Sequence, residues 1–551
     1  MPSSADTSQV RQAITELDAE AIASRRPPTD RLHLDFVGVA RRCWGRLAIA
    51  DTTGQRLTYG RALIGAFALG RALERRTRGE PMVGTLLPAS AGAAITNIAL
   101  FMAHHVPVNL NFTIGQEALA AAIEQAGVRT IVTSRRFLEK ASLPEIPGMV
   151  FLEDLRGEVT RSDKAVAIVH ARLTPRSLLR RWFGGAQGET GTSPLATIIF
   201  SSGSTGVPKG VMLTHAAILA NVDSLAQIFP MGSDDAFIGV LPLFHSFGFT
   251  GTFWFPLLQG AMVAYHPNPM DAKTIGELAA TYKATMLIST PTFCQSYVRR
   301  ISKEQFAHLR YAIVGAEKLR EPLAAEFRDK YGIDLLEGYG CTEMAPVVAV
   351  NRPSGRDLDA SRGGMRPGSV GRSIPGVAAR IVDQDTGEDL DVGQEGLLLV
   401  KGPNMMTGYL HAPERTAQVM RDGWYVTGDI ARLDRDGFIF ITDRVSRFSK
   451  IAGEMVPHVK VEDAINAIVG EACCAITALP DAARGERLVA FYACPALAPE
   501  RIWEQLCQSD LPRLWLPRRD QLFQIDAIPT LGTGKTDLRR LRQLAAERSD
   551  A

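Results

Sequence analysis

The chain has 551 residues, 46% hydrophobic and 22% charged, with a formal net charge of +2. That balance excludes a disordered chain and a protein built mainly to coat nucleic acid. Its seven cysteines form no Cys-x-x-Cys pair and give no sign of a disulfide framework or a zinc site.

The polar, acidic start MPSSADTSQVRQAITELDAE carries no secretory leader, so a cytoplasmic location is expected. Up to about residue 350, β-rich runs alternate with helical stretches: MVGTLLP, RTIVTS, LATIIF, AFIGVLPL, AMVAYH, ATMLIST and LRYAIVGAE. The alternation predicts an α/β fold of parallel sheets covered by helices. Between Phe237 and His266 there is no Asp, Glu, Lys or Arg, a length sufficient for a membrane span. Pro242, Pro256, His245 and four glycines interrupt it, which predicts buried strand, loop, helix and strand instead.

From about residue 365 to 445, strands separated by Gly turns (GVAARIVDQDTGEDL, EGLLLVKGPN, GFIFITDR) predict a small β-rich subdomain. Beyond Arg444, VEDAINAIVG, CCAITALP, RLVAFYAC, PERIWEQLCQ and QLFQIDAIP read as helix, strand, strand, helix and strand. The expected organisation is a large domain over residues 1–445 and a mobile α+β module over 446–551.

The chemistry concentrates in TIIFSSGSTGVPKGVMLTH, Thr197 to His215. Ser201, Ser202, Gly203, Ser204, Thr205 and Gly206 offer hydroxyls and unhindered backbone N–H groups just past a strand, the usual means of surrounding phosphate oxygens, and Lys209 adds positive charge. A second phosphate-loop reading, GTGKTDLRR around Lys535, fails on spacing, since Pro529 stands where the first glycine would be needed and has no N–H to donate.

SSGSTGVPKG resembles the signature of the adenylate-forming superfamily of acyl-CoA synthetases, peptide-synthetase adenylation domains and luciferases. EGYGCTE (Glu337 to Glu343), YVTGDIARLDRDGFIFITDR (Tyr425 to Arg444) and PTLGTGKTDLRR (Pro529 to Arg540) resemble its other signatures, in order. The resemblance implies ATP and Mg²⁺ as cofactors. It implies that the opening loop embraces the ATP phosphates, that Tyr339 and Gly340 lie against adenine with Gly315, Ala316 and Glu317 as a further wall, and that Thr342 meets a phosphate oxygen. Glu343 would hold Mg²⁺, a hard cation that prefers oxygen ligands. Asp429 and Arg444 would hold the ribose, Lys535 would reach the substrate carboxylate and α-phosphate, and the small domain would turn about Ser446, where the family usually has Asp or Lys.

The family's amino-acid-activating members place an Asp in the segment matching LPLFHSFGFTGTFWFPL; here His245 occupies that place. With no carboxylate to pair an ammonium, a plain carboxylic acid is expected, with His245 at the acyl pocket and Phe247, Phe249, Phe253, Trp254 and Phe255 as either tunnel lining or core. At finer grain LPLFHSFGFT, LRYAIVGAEKL, EGYGCTEMAPVVAVN and SRFSKIAGEMV resemble the acyl-[acyl-carrier-protein] synthetase half of a bacterial bifunctional acyltransferase/synthetase family. This implies a medium- or long-chain fatty acid substrate and acyl carrier protein as partner. CoA is the alternative acceptor, an acyl-AMP ligase the alternative enzyme, and a silent acyl-adenylate-binding protein the alternative of another class. Arginines beside Leu, Trp and Phe in ARLTPRSLLRRWFGG point to peripheral membrane contact at most.

Overall fold

The computed structural model describes residues 30–184, 195–201, 208–353, 364–444, 447–451, 454–471, 473–481, 484–494, 497–509, 511–530 and 536–549. The chain divides into two compact units. The first runs to Arg380 and takes in Leu399–Val426 and Leu433–Phe440; the second comprises Ile381–Leu398, Thr427–Arg432 and the chain from Ile441 onward.

Two sheets of the first unit have the expected parallel character. One places Val106–Asn109, Met82–Thr85, Ile131–Thr133 and Met149–Phe151 side by side, all parallel. The other has nine strands, in the order Arg372–Ser373, Val347–Val350, Leu335–Gly340, Tyr311–Val314, Met286–Ser289, Ala236–Gly239, Met262–Tyr265, Leu47–Asp51 and Arg56–Thr58. It is parallel from Leu47–Asp51 to Leu335–Gly340, and antiparallel pairs occur at its two margins. Its central strands are buried on both faces, which explains their continuous apolar sequences.

A third sheet departs from that expectation. Leu195–Ser201 and Lys209–Thr214 pair antiparallel as a hairpin, and Gly408–Tyr409 adds a third antiparallel strand. The reason is connection length: the few residues between Ser201 and Lys209 are too short for a parallel crossover, which takes a dozen or more.

The uncharged stretch resolves into strand Ala236–Gly239, a π-helix over Phe247–Trp254, helix Phe255–Gln259 and strand Met262–Tyr265. Among the described residues no helix is long and apolar enough to cross a membrane. The π-helix needs Gly248, because a Cβ there would stand 2.1 Å from the Pro242 carbonyl oxygen. Phe249, Phe253, Trp254 and Phe255 are fully buried and pack on one another and on Phe101 and Phe237. They are core, which leaves half-buried Phe247 as the aromatic of this segment at a margin.

The Gly-separated strands form a sheet in the order Ala378–Val382, Gly396–Lys401, Trp424–Leu433 and Met420–Arg421, with Ile439–Arg444 also paired to Trp424–Leu433. In the second unit, Glu454–Pro457, Phe448–Ile451, Gly485–Tyr492 and Cys474–Asp481 lie in that order, and Leu522–Gln524 joins Gly485–Tyr492. Side chains alternate across it. Ile476, Ala478, Leu488 and Ala490 pack in one cluster, while Ala475, Leu479, Val489 and Phe491 pack with Leu541 and Ala545 of helix Leu538–Ser549 in another.

Candidate functional site

The hairpin strands end on Ser201 and Lys209, which face each other across the mouth of the serine- and glycine-rich loop. Of that loop, Ser202, Gly203, Ser204, Thr205 and Gly206 lie outside the described residues, as do Ser446 and Lys535. The Lys209 ammonium sits 5.3 Å from the ring centroid of Tyr409, on the third strand of the same sheet. The Tyr409 hydroxyl donates to Glu343 Oε1 at 2.8 Å. Burial first, and then the Glu343 charge, push the Tyr409 hydroxyl far above its ordinary pKa. The Tyr425 hydroxyl bonds to that of Tyr409, extending the chain of donors behind the carboxylate.

Glu343 is buried, in a single 3₁₀ turn over Thr342–Met344. Side chains from three distant elements hold this turn. Asn404 Nδ2 donates to the carbonyls of Met344 at 2.6 Å and Val347 at 3.0 Å, Asn221 Nδ2 donates to Val347 O at 2.9 Å, and Thr250 Oγ1 donates to Ala345 O at 2.8 Å. Just before it, Gly340 has no alternative: a Cβ would lie 2.1 Å from the Pro346 carbonyl oxygen. The Thr342 hydroxyl lies 3.5 Å from that of Ser246, next to His245, whose half-buried ring packs against Phe244 at 4.6 Å between centroids. Thr342, Glu343, Ser201 and Lys209 thus gather around the hairpin mouth, and His245 approaches through Ser246.

The Gly315–Glu317 segment follows strand Tyr311–Val314, beside the strand that carries Tyr339. A Cβ on Gly315 would lie 3.2 Å from the Gly338 carbonyl oxygen and 3.5 Å from the Phe247 ring, so the absent side chain lets the π-helix close on this wall. Ala316 takes a left-handed φ of 71°, uncommon for a residue with a Cβ. Glu317 Oε2 accepts from the Thr292 hydroxyl at 2.6 Å and its N–H at 3.2 Å; its buried Oε1 has no hydrogen-bond partner among the described residues. Glu337, the first residue of EGYGCTE, accepts from the Leu319 N–H at 3.0 Å, and burial raises its carboxyl to about 7.

Asp429 belongs to the second unit. It is buried on strand Trp424–Leu433, and its N–H donates to Thr427 Oγ1 at 3.0 Å while that hydroxyl donates to the Leu398 carbonyl at 2.8 Å. Arg444 ends the paired strand Ile439–Arg444.

Within the first unit, Glu343, Thr342 and Lys209 fit ATP and Mg²⁺ by donor chemistry. A carboxylate whose Oε1 is held by a neutral phenol, with a hydroxyl at Thr342, supplies the hard oxygens Mg²⁺ prefers, and Lys209 supplies charge for phosphate. Sequence reasoning missed Tyr409, Tyr425, Asn221, Asn404 and Ser246 as members of the site. Tyr409 stands 66 residues from the carboxylate it holds, and no local motif marks such a partner.

A family model for AMP-binding enzymes matches residues 36–410. Over an alignment 571 positions long the chain is 27% identical to 4-coumarate–CoA ligase 2 of Oryza sativa subsp. japonica, covering 98% of each. It is 31% identical to the long-chain-fatty-acid–CoA ligase of Salmonella typhimurium over 363 residues, 65% of this chain and 63% of that one. Among solved structures, ATP-bound MatB from Rhodopseudomonas palustris superposes with a TM-score of 0.75 at 25% identity, covering 94% of this chain and 99% of that one. With the signature segments and the clustered Glu343, Thr342 and Lys209 in place, the chain belongs to the AMP-binding enzyme family and is an AMP-forming acid–thiol ligase that activates its acid with ATP.

Proposed function

We propose that the protein activates a medium- or long-chain fatty acid and passes the acyl group to the phosphopantetheine thiol of acyl carrier protein. The observation that carries the ATP chemistry is the buried Glu343 carboxylate, fixed by Tyr409 beside Lys209 at the mouth of the phosphate hairpin. In the first step a carboxylate oxygen attacks the α-phosphorus and the bond to pyrophosphate breaks, giving acyl-AMP. In the second the thiol sulfur attacks the acyl carbon, the bond to the phosphate oxygen breaks, AMP leaves, and the thiol proton passes to solvent. In-line displacement of this kind needs positioning and charge neutralisation more than a protein nucleophile. Lys209 neutralises charge on the departing phosphates, Glu343 with Thr342 would hold Mg²⁺, which when bound screens the phosphate oxygens, and Asp429 with Arg444 would hold the ribose.

The absence of any Asp or Glu from Leu241 to Leu257 supports an acid without an amino group, and the name of the Salmonella relative supports a fatty one. For the acceptor, exposed arginines at 513, 518, 519, 540 and 542 support an acidic carrier. CoA is the second reading, favoured by the names of the rice and Salmonella relatives. Our reading also takes the module from residue 446 as a mobile cap turning about Ser446, and the cytoplasm as its location.

Exchange of labelled pyrophosphate into ATP with a panel of acids tests activation, and its absence with every acid leaves only a binder. Supplying acyl-AMP with CoA or with holo-acyl carrier protein tests the acceptor; thioester on CoA alone refutes the carrier reading. Lys535→Ala is expected to abolish most acyl-AMP formation, because a fixed cation at developing charge supplies several kcal/mol. It should spare thioester formation from supplied acyl-AMP, and equal loss of both steps would exclude the rotating cap.

A further inference from the structure

Of the six large apolar side chains that are exposed among the described residues, five lie within fifteen residues of one another: Ile168, Val169, Leu173, Leu178 and Trp182. They belong to two successive helices, Arg161–Arg172 and Arg176–Phe183, whose inner faces are already satisfied. Ala167, Ala171 and Leu179 are buried, and Asp163, also buried, accepts from Arg71 and Arg75 of helix Tyr59–Arg76. On the opposite side Ile168, Val169, Arg172 and Leu173 fall at one-turn spacing and are all exposed. Leu178, Arg181 and Trp182 repeat the pattern on the second helix. Leu173, between the two helices, is 71% exposed.

Scattered surface leucines are ordinary, but five exposed apolar side chains on two successive helices point to an interaction surface. Its charge says with what. From Arg161 to Trp182 there are six Lys or Arg against one Asp, in a chain whose whole formal charge is +2. Arg176 and Arg180 pair with Asp35 and Asp30 and anchor the helices to the body while staying half exposed. Arg161, Lys164 and Arg181 have no ion pair among the described residues. Trp182 packs edge-on against His170, 5.5 Å between centroids, which ties the second helix to the first. Beside it opens a recess of about 360 Å³ walled in part by Phe67, Met102, Trp182 and Phe183. Exposed apolar side chains interspersed along the two helices with arginines, with an amphipathic indole among them, complement a layer of anionic headgroups over hydrocarbon.

We propose that this helix pair docks the protein on an anionic phospholipid bilayer, with Leu173, Leu178 and Trp182 entering the headgroup–acyl boundary and Arg181 at the phosphates. The test is cosedimentation of the full chain with vesicles of phosphatidylcholine alone or mixed with phosphatidylglycerol. At low salt the expected partition into anionic vesicles exceeds that into neutral ones at least tenfold and falls steeply as salt rises. The doubly substituted Leu173→Gln, Trp182→Gln chain, and Leu173→Gln alone to a smaller degree, should lose partition, the double variant at least tenfold, at unchanged charge and well below the melting temperature of each. Arg181→Gln should lose a few-fold and flatten the salt dependence. Equal partition into both vesicles, no partition, or wild-type partition by the double variant overturns the proposal. A dimer that the double substitution dissociates, without vesicle binding, assigns the face to a second copy. Binding seen only in a chain lacking residues 1–29 assigns the face to that segment, which precedes Asp30, the partner of Arg180.

Discussion

The turn that carries Glu343 and the strand that carries Asp429 are fixed by opposite means. Around Glu343, the backbone carbonyls of 344–347 are fixed by Asn221, Asn404 and Thr250, and the carboxylate by Tyr409, all far away in sequence. Asp429 is instead set within a strand, and the hydroxyl that accepts from its N–H belongs to Thr427, two residues away. A residue in a short turn has no ladder to hold it and must borrow rigidity from elsewhere; one in a paired strand inherits it from the sheet.

Glu343→Gln should break the comparison most sharply. Gln keeps the acceptor for Tyr409 but removes the charge, so pyrophosphate exchange should fall on the order of 100- to 1,000-fold, about 3–4 kcal/mol, with stability nearly unchanged. A loss below tenfold would mean that the carboxylate is not a metal ligand.

Next comes Glu337, at the start of the same motif. Burial raises its carboxyl from 4.5 to about 7, so the native state keeps a proton that the unfolded chain releases first. The stability it contributes is complete below about pH 4.5 and is lost as pH rises through about 7. Denaturant titrations should show Glu337→Gln more stable than wild type by about 2–3 kcal/mol at pH 8, converging near pH 4.5. Parallel curves at all pH values would exclude a raised carboxyl.

Asn404→Ala strips the Met344 and Val347 carbonyls of a donor and should cost about 1–3 kcal/mol of stability. If the turn relies on distant clamps, exchange activity measured well below the melting temperature should fall as well. The local arrangement should prove more forgiving: Thr427→Val removes one bond to Leu398 and one from Asp429, costing about 1 kcal/mol. Its signature should be a raised KM for ATP with kcat preserved, and a larger effect than Asn404→Ala would reverse the ranking of the two regions.

The fold was largely legible. Apolar runs such as ATMLIST and LRYAIVGAE became the parallel strands Met286–Ser289 and Tyr311–Val314 because strands buried on both faces write themselves as continuous hydrophobic sequence. Pro and Gly interruptions between Phe237 and His266 excluded a span for the reason the structure displays, a tight π-helix admitting no side chain at Gly248. Less legible was the antiparallel pairing of the hairpin Leu195–Ser201 and Lys209–Thr214, since LATIIF has the same apolar texture as the parallel strands and only its short connection betrays the direction. Tyr409, Asn221 and Asn404 were invisible as site residues, because a polar side chain with a distant partner looks like any other until the chain is folded.

The sequence by itself determined the alternation of strand and helix, the order of the signature segments, and the residue types at 201–209, 337–343 and 425–444 that carry the family resemblance. Only tertiary structure decided that Lys209, Tyr409 and Glu343 share one corner, that Phe249, Phe253, Trp254 and Phe255 are core, and that the apolar faces of helices Arg161–Arg172 and Arg176–Phe183 look outward. The physical reason is range: propensity, turn chemistry and periodicity act over a few residues and are written locally. Burial, by contrast, is settled by what packs against a side chain from elsewhere in the chain.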